Sequence, residues 1–256
     1  AVLNLSEYRQ KETNLDLTLK VVSVAPRVFE IDNFLSQVEV DHLLEMAIVF
    51  NTTTDINEDS ANVDTKGTQP RKKKKKRKNK TTTNKNGPII PKTGAWIHRE
   101  FSPVVDAIYR RTADLLQIDE SLLRHRSEHE RTDLNTHHSI AEAIHMDHYK
   151  KDQGYPARHD CSQPSLTNRY QPNRFATIVF MLNDGGLEGG DMVFPKAINA
   201  NNHDGIKVQS KAGKAVLYYN VLPDGNLDDL SHHSGDLVVD GDKWMGTLWV
   251  WDPIVD

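Results

Sequence analysis

The sequence predicts an α+β fold that is mainly β, with N-terminal helices packed outside a barrel or sandwich of short strands. Three observations predict it. From about residue 140 onward, "AEAIHMDHY", "RFATIVFML", "GDMVFP", "KAVLYYNV", "GDLVV" and "MGTLWVW" are short runs rich in Val, Ile, Tyr and Trp, divided by Gly, Asp, Asn and Pro turns. No helical pattern separates these runs, which argues against a parallel α/β sheet. Two apolar stripes at helical spacing precede them.

Residues 21–35, "VVSVAPRVFEIDNFL", alternate as strands do. The next stretch, "SQVEVDHLLEMAIVF", reads as a helix. Ser36 and Glu39 form a capping box, and Val40, Leu43, Leu44 and Ala47 give the buried stripe. A second helix follows Ser102, with Val104, Val105, Ile108, Thr112, Leu115 and Leu116 on its inner face. Between the two helices the composition changes. Residues 51–92 are rich in Thr, Asn and Lys and hold almost no large apolar side chain before Ile89. Such a segment buries too little surface to offset its ordering entropy, so it is expected to be a disordered, low-complexity insertion in a single domain spanning 1–256, whose β core covers 140–252.

Charge is distributed unevenly. The net charge is −4, yet "PRKKKKKRKNK" at residues 70–80 carries nine basic residues and no acid. The rest of the chain is an acidic body, which argues against a nucleic-acid-binding domain. Residues 71–80 remain as one candidate contact for a polyanion, against the plainer reading of a solvated loop. A single cysteine, Cys161, excludes an intrachain disulfide. No signal peptide is read in the chain, and its longest apolar runs, such as "VLYYNVL", are too short to span a bilayer.

The stretch "SHHSGDLVVDGDKWMGTLWVWD" at 231–252 places His233 ten positions before Lys243 across tight turns. Each alone is an ordinary surface residue. On neighbouring strands the two can face one cavity. Together with "RFATIVFMLNDGGLEGGDMVFP", "KAGKAVLYYNVLPDGNLDDL" and "VFEIDNFLS", this stretch resembles the prolyl 4-hydroxylase family of Fe(II)- and 2-oxoglutarate-dependent dioxygenases. The resemblance runs from about residue 27 to 252, interrupted at 51–92.

It implies a double-stranded β-helix, a jelly-roll barrel of the cupin type, holding Fe(II) through two histidines and one carboxylate. It further implies 2-oxoglutarate and O2 as cosubstrates, ascorbate as a cofactor, and a proline-containing peptide or protein as substrate. The products would be peptidyl 4-hydroxyproline, succinate and CO2. The family's setting is the endoplasmic reticulum or secretory lumen. His233 matches the distal metal histidine. Lys243 matches the residue that pairs with the far carboxylate of 2-oxoglutarate. Tyr149 and Thr177 match positions that bond the same carboxylate, and Arg174 resembles a residue near the peptide.

One departure falls on the metal site. The family reads Tyr-x-x-Gly-Gln-x-Tyr-x-x-His-x-Asp, whereas this chain runs from Tyr149 to Asp160 with Asp152 in the glycine position and Arg158 in the histidine position. Arginine stays protonated and offers only donors, so it cannot ligate a cation. Three readings stand. A bulge turns His159 inward, so that His159, Asp160 and His233 hold the metal. Alternatively, His145-Met146-Asp147 supplies the pair one strand segment earlier. In the third, the site is incomplete and the chain is an impaired relative that binds peptides.

Overall fold

The computed structural model describes residues 17–60, 94–124, 140–161, 173–184, 186–198 and 205–252. The basic stretch 71–80 and most of the insertion lie outside them. Two strands, β1 (Thr18–Val24) and β2 (Arg27–Asp32), lead into helix α1 (Gln37–Ser60). The Ser36 amide donates to Glu39 Oε2 at 2.7 Å and the Glu39 amide returns to Ser36 Oγ at 3.3 Å, a reciprocal cap. Glu39 also pairs with Arg111 at 2.8 Å, which ties this helix start to the second helix. Helix α1 continues to Ser60, ten residues into the segment that composition assigns to an insertion. Once a capped, packed helix has begun, adding polar residues to its end needs no new nucleus.

Strand β3 (Gly94–Ile97) precedes helix α2 (Pro103–Leu116). Ser102 caps α2 by accepting from the Val105 amide at 3.2 Å, and Pro103 occupies the first turn, where its missing N–H costs nothing. The β core follows as β4 (Ile144–Lys150), β5 (Tyr155–Arg158), β6 (Arg174–Met181), β7 (Glu188–Gly189), β8 (Met192–Phe194), β9 (Ile206–Val208), β10 (Ala215–Tyr219), β11 (His233–Gly235), β12 (Val238–Asp240) and β13 (Asp242–Trp251).

Seven strands form the major sheet in the order β1-β2-β10-β6-β13-β4-β3, and four form a second sheet in the order β5-β11-β8-β9. The major sheet is buried on both faces. Its outer residues, Ile178, Phe180, Leu217, Leu248 and Val250, pack with Val40, Leu43, Val105 and Ile108 of the helices. Its inner residues, Tyr149, Val179, Met181, Val216, Tyr218 and Met245, pack with Tyr155, Met192, Phe194, Ile206 and Val208 of the second sheet. This two-sheet, helix-backed arrangement is the jelly-roll fold. No helix among the described residues is long and apolar enough to cross a membrane.

Candidate active site

The strand period of two decides which side chains enter the space between the sheets. On β13, Lys243, Met245, Thr247 and Trp249 point inward. Register puts Tyr149 opposite Lys243 on β4, and Thr177 opposite both Trp249 on β13 and Tyr218 on β10. The second sheet brings in His233, whose strand pairs with β5 so that His233 faces Arg158 and Gly235 faces Tyr155. Between these two pairs β5 advances one residue more than β11. The bulge therefore falls at Pro156–Ala157, where proline has no N–H to give the ladder.

The turn at residues 151–152, before β5, is built without a glycine. Asp152, in the family's glycine position, has φ 64°. It adopts the left-handed conformation itself, which aspartate tolerates better than most residues. Arg158 lies two residues before Asp160 and pairs across the sheet with His233.

Asp160 and His233 meet at the centre. Asp160 Oδ1 lies 3.6 Å from His233 Nε2 and 3.7 Å from Arg158 Nε. Asp160 Oδ2 accepts from the Tyr218 hydroxyl at 2.5 Å and from Thr177 Oγ1 at 2.8 Å. Burial opposes the charge on Asp160. The His233 imidazole when protonated, the Tyr218 bond, Arg158 and the Thr177 bond outweigh it, and the carboxyl is held below its usual range. His233 Nδ1 donates to the Ser231 carbonyl at 3.0 Å, which leaves Nε2 as the lone-pair nitrogen. Burial pushes the imidazole below its ordinary value, against the pull of Asp160 and the Ser231 bond, so it stays neutral at pH 7.

Changing Tyr218 to Phe is expected to cost about 2 kcal/mol at neutral pH, the scale of a buried hydrogen bond to a charged group. Asp160 has a depressed folded pKa, so its contribution is present above the unfolded value and lost as pH falls through the folded one. Urea unfolding at pH 7 and at pH 3 checks this: the gap between wild type and variant narrows in acid.

Lys243 is another charged group of the interior. It is 2 % exposed, and its Nζ donates to the Gly190 carbonyl at 2.6 Å. No carboxylate lies within ion-pair distance among the described residues. Burial lowers its pKa to about 8, with Asp191, Asp236 and Asp147 opposing from farther away. Gly190 adopts φ 71°, and a Cβ there would press on the Lys243 stem at 3.3 Å, so glycine suits the position twice over. Two further inward groups of β13, Thr247 Oγ1 and Trp249 Nε1, are buried with no hydrogen-bond partner. An unpaired buried cation, with orphaned donors farther along the same inner face, fits an anionic, oxygen-rich ligand such as 2-oxoglutarate.

Several expectations from the sequence need correction. His159 does not turn inward. Its Nε2 lies 3.2 Å from the Asp229 carbonyl and its ring meets that of His232 at 4.7 Å, tilted by 48°, on the side opposite His233. Alternation explains this: Asp160 takes the inner face, Arg158 leans over the Tyr155 ring from the same side with its side chain 43% exposed, and the bulge lies too early to reverse the order. Thr177 gives its hydroxyl proton to Asp160 and accepts from Asn220 Nδ2 at 2.9 Å, so it steadies the carboxylate instead of facing the Lys243 end. Arg174 is clamped by Glu142 at 2.6 and 2.9 Å over the Trp249 ring at 4.0 Å, and reaches the Asp160 carbonyl at 3.3 Å. His145 and Asp147 pair with each other at 3.3 Å.

Sequence reasoning missed Tyr218, Tyr155, Thr247 and Trp249. The inward register of "VLYYNV" and "MGTLWVW" is the one signal that marks the two tyrosine- and tryptophan-bearing strands, and it is the ordinary signal of a core strand.

Among the described residues a three-donor iron site is not assembled. Asp160 and His233 supply two donors, the third position carries a guanidinium with no lone pair, and no cluster of three or more His, Cys, Asp or Glu side chains suited to a metal occurs among the described residues.

Residues 144–251 match the family model of the 2OG-Fe(II) oxygenase superfamily, whose members use Fe(II), 2-oxoglutarate and O2. A probable prolyl 4-hydroxylase 8 of Arabidopsis thaliana is 26% identical over 252 residues, spanning 94% of this chain and 73% of its own length. Prolyl 4-hydroxylase 5 of the same plant is 25% identical, over 93% and 73%. In fold, the chain is similar to a viral collagen prolyl hydroxylase of Paramecium Bursaria Chlorella virus-1 solved with 2-oxoglutarate, with TM-score 0.56 and 20% identity over 90% of this chain and 98% of that one.

Proposed function

We propose that this chain, which carries a prolyl 4-hydroxylase-like 2-oxoglutarate-dependent dioxygenase domain over residues 144–251, binds 2-oxoglutarate through Lys243 and a proline-containing peptide at the barrel mouth. Hydroxylation of peptidyl proline at C4, with conversion of 2-oxoglutarate and O2 to succinate and CO2, is the reaction this scaffold serves. In this chain it is slow, because two protein donors stand where the family places three.

The observation that carries the binding half is Lys243: a buried cation with no ion pair among the described residues. Incubation with Fe(II), ascorbate, 2-oxoglutarate and a proline-rich peptide, with succinate and peptide mass as readouts, tests the reading. The expected result is 2-oxoglutarate binding that Lys243→Ala removes, with sparse addition of oxygen to proline. Wild-type chain that fails to bind 2-oxoglutarate overturns it. A second reading, a peptide-binding module without turnover, is favoured by Arg158 standing opposite His233; peptide binding with no succinate at all selects it.

The binding carries a pH signature. Lys243 must be protonated to hold a carboxylate, and in the free protein its pKa lies at about 8. Arg158 stays charged, and burial raises the Tyr149 hydroxyl so that it stays neutral. Affinity for 2-oxoglutarate is therefore expected to be level below pH 7.5 and to weaken about fivefold between pH 8 and pH 9, as binding comes to require proton uptake. Calorimetric titration across that range checks it; affinity unchanged to pH 9.5 removes Lys243 from the role.

A further inference from the structure

We propose that Arg158 takes the place of the metal as the anchor for one carboxylate, so that the barrel holds a 2-oxo dicarboxylate without iron, between Arg158 at one end and Lys243 at the other. The inference rests on the reading that Lys243 binds 2-oxoglutarate, and goes beyond it by removing the metal from binding.

Four features support it. First, register places Arg158 opposite His233 and on the Asp160 side of β5, at the mouth of the interior. Second, its guanidinium is underused. Among the described residues its one charged contact is Asp160 Oδ1, 3.7 Å from Nε, and it makes no hydrogen bond there. The other Asp160 oxygen is already committed to Tyr218 and Thr177. A planar fork with free N–H groups matches a carboxylate bidentately, and it keeps its charge at every physiological pH.

Third, the two cations flank one aromatic pair. Lys243 is the cross-strand neighbour of Tyr149, whose ring lies 5.9 Å from that of Tyr155. Arg158 sits over Tyr155 at 5.0 Å. Cations on either side of this aromatic pair suit a dianion with carboxylates at both ends, not a monoanion. Fourth, Thr247 Oγ1 and Trp249 Nε1 offer unpartnered donors on the same inner face, which keto and carboxylate oxygens would satisfy. In an iron-holding relative the ion supplies the positive charge at this end; here a side chain supplies it.

The test is calorimetric titration of the whole chain with 2-oxoglutarate, in EDTA and, without oxygen, in saturating Fe(II). Succinate serves as a dicarboxylate probe and 2-oxobutyrate as a monocarboxylate probe. The expected result is binding of 2-oxoglutarate and succinate in EDTA, with affinity unchanged within about twofold by Fe(II), and no measurable binding of 2-oxobutyrate. Arg158→Ala is expected to weaken binding in EDTA by at least about tenfold, as loss of a charge-assisted bidentate contact should. Arg158→Lys retains part of the affinity, and thermal melts confirm that both variants fold. Binding that appears with Fe(II) and not in EDTA overturns this inference alone, as does an Arg158→Ala variant with wild-type affinity in EDTA. No binding in either condition overturns the Lys243 reading as well.

Discussion

Changing Arg158 to His is expected to raise the affinity for Fe(II) by well over about tenfold, more than the effect typical of altering a group outside the ligand set. The change acts twice. It puts a neutral nitrogen lone pair two residues from Asp160 and directly across from His233. It also removes a permanent cation 3.7 Å from the carboxylate that an incoming metal must share. Succinate release from 2-oxoglutarate should rise in step, and 2-oxoglutarate binding should become dependent on the metal. Anaerobic Fe(II) titration with a succinate assay measures both. His159→Ala is expected to leave iron binding as in wild type, since His159 is engaged with Asp229 and His232. His233→Ala should abolish the gain that the Arg158 change confers. An Arg158→His variant that binds iron no better than wild type would show that something other than the missing ligand limits the site.

Changing Lys243 to Met is expected to make the ligand-free chain more stable while abolishing 2-oxoglutarate binding. A lysine whose pKa falls from 10.5 to about 8 on folding carries a burial penalty of about 3 kcal/mol at pH 7. Methionine keeps the stem and drops the charge. Loss of the bond to the Gly190 carbonyl takes back about 1–2 kcal/mol. The net gain is about 1–2 kcal/mol, a rise of a few degrees in Tm for a domain of this size. The sign follows from linkage. Because the folded pKa is depressed, wild type bears the full penalty below pH 8 and sheds it as pH rises towards the unfolded value. The two proteins' melting temperatures should therefore converge towards pH 10. A variant less stable than wild type at pH 7 would mean that Lys243 is not the strained cation its surroundings make it.

Both predictions depend on interior polarity that a stable core would not choose. An apolar side chain at position 243 would pack more cheaply, and Thr247 and Trp249 keep donors that nothing in the fold uses. A ligand that entered the interior would satisfy such groups. The Glu142–Arg174 clamp behaves differently: it satisfies both partners, extends to the Trp251 indole at 2.8 Å, and supports the loop carrying Asp160 through its backbone carbonyl. Arg174 is thus placed to position the site through Asp160, and its guanidinium is engaged before any peptide arrives.

By itself the sequence determined what local pattern can carry. The reciprocal Ser36–Glu39 cap, the Ser102–Pro103 helix start and the strand runs after residue 140 were all readable, because caps and periodicity act over a few residues. The substitution at Arg158 and the candidacy of Asp160, His233 and Lys243 were also readable, because their order and spacing match the family in one dimension. Residues 51–60 were misjudged, since composition reports the cost of ordering a segment and not the help of a helix already begun before it. Short β5 escaped notice because Pro156 and Arg158 do not look like strand residues.

What only the tertiary structure decided is which of two neighbours enters the barrel. Along β5 a shift of one residue exchanges Arg158 for His159, and nothing local distinguishes the two registers. The choice is made by β11, which is distant in sequence and aligns His233 with Arg158, and by the bulge that forms at Pro156 where the ladder loses a donor. The same long-range pairing brings Tyr218 and Thr177 onto Asp160 and sets Tyr149 beside Lys243. Strand register is fixed by partners far along the chain, so the identity of the groups facing the cavity had to come from the folded sheet.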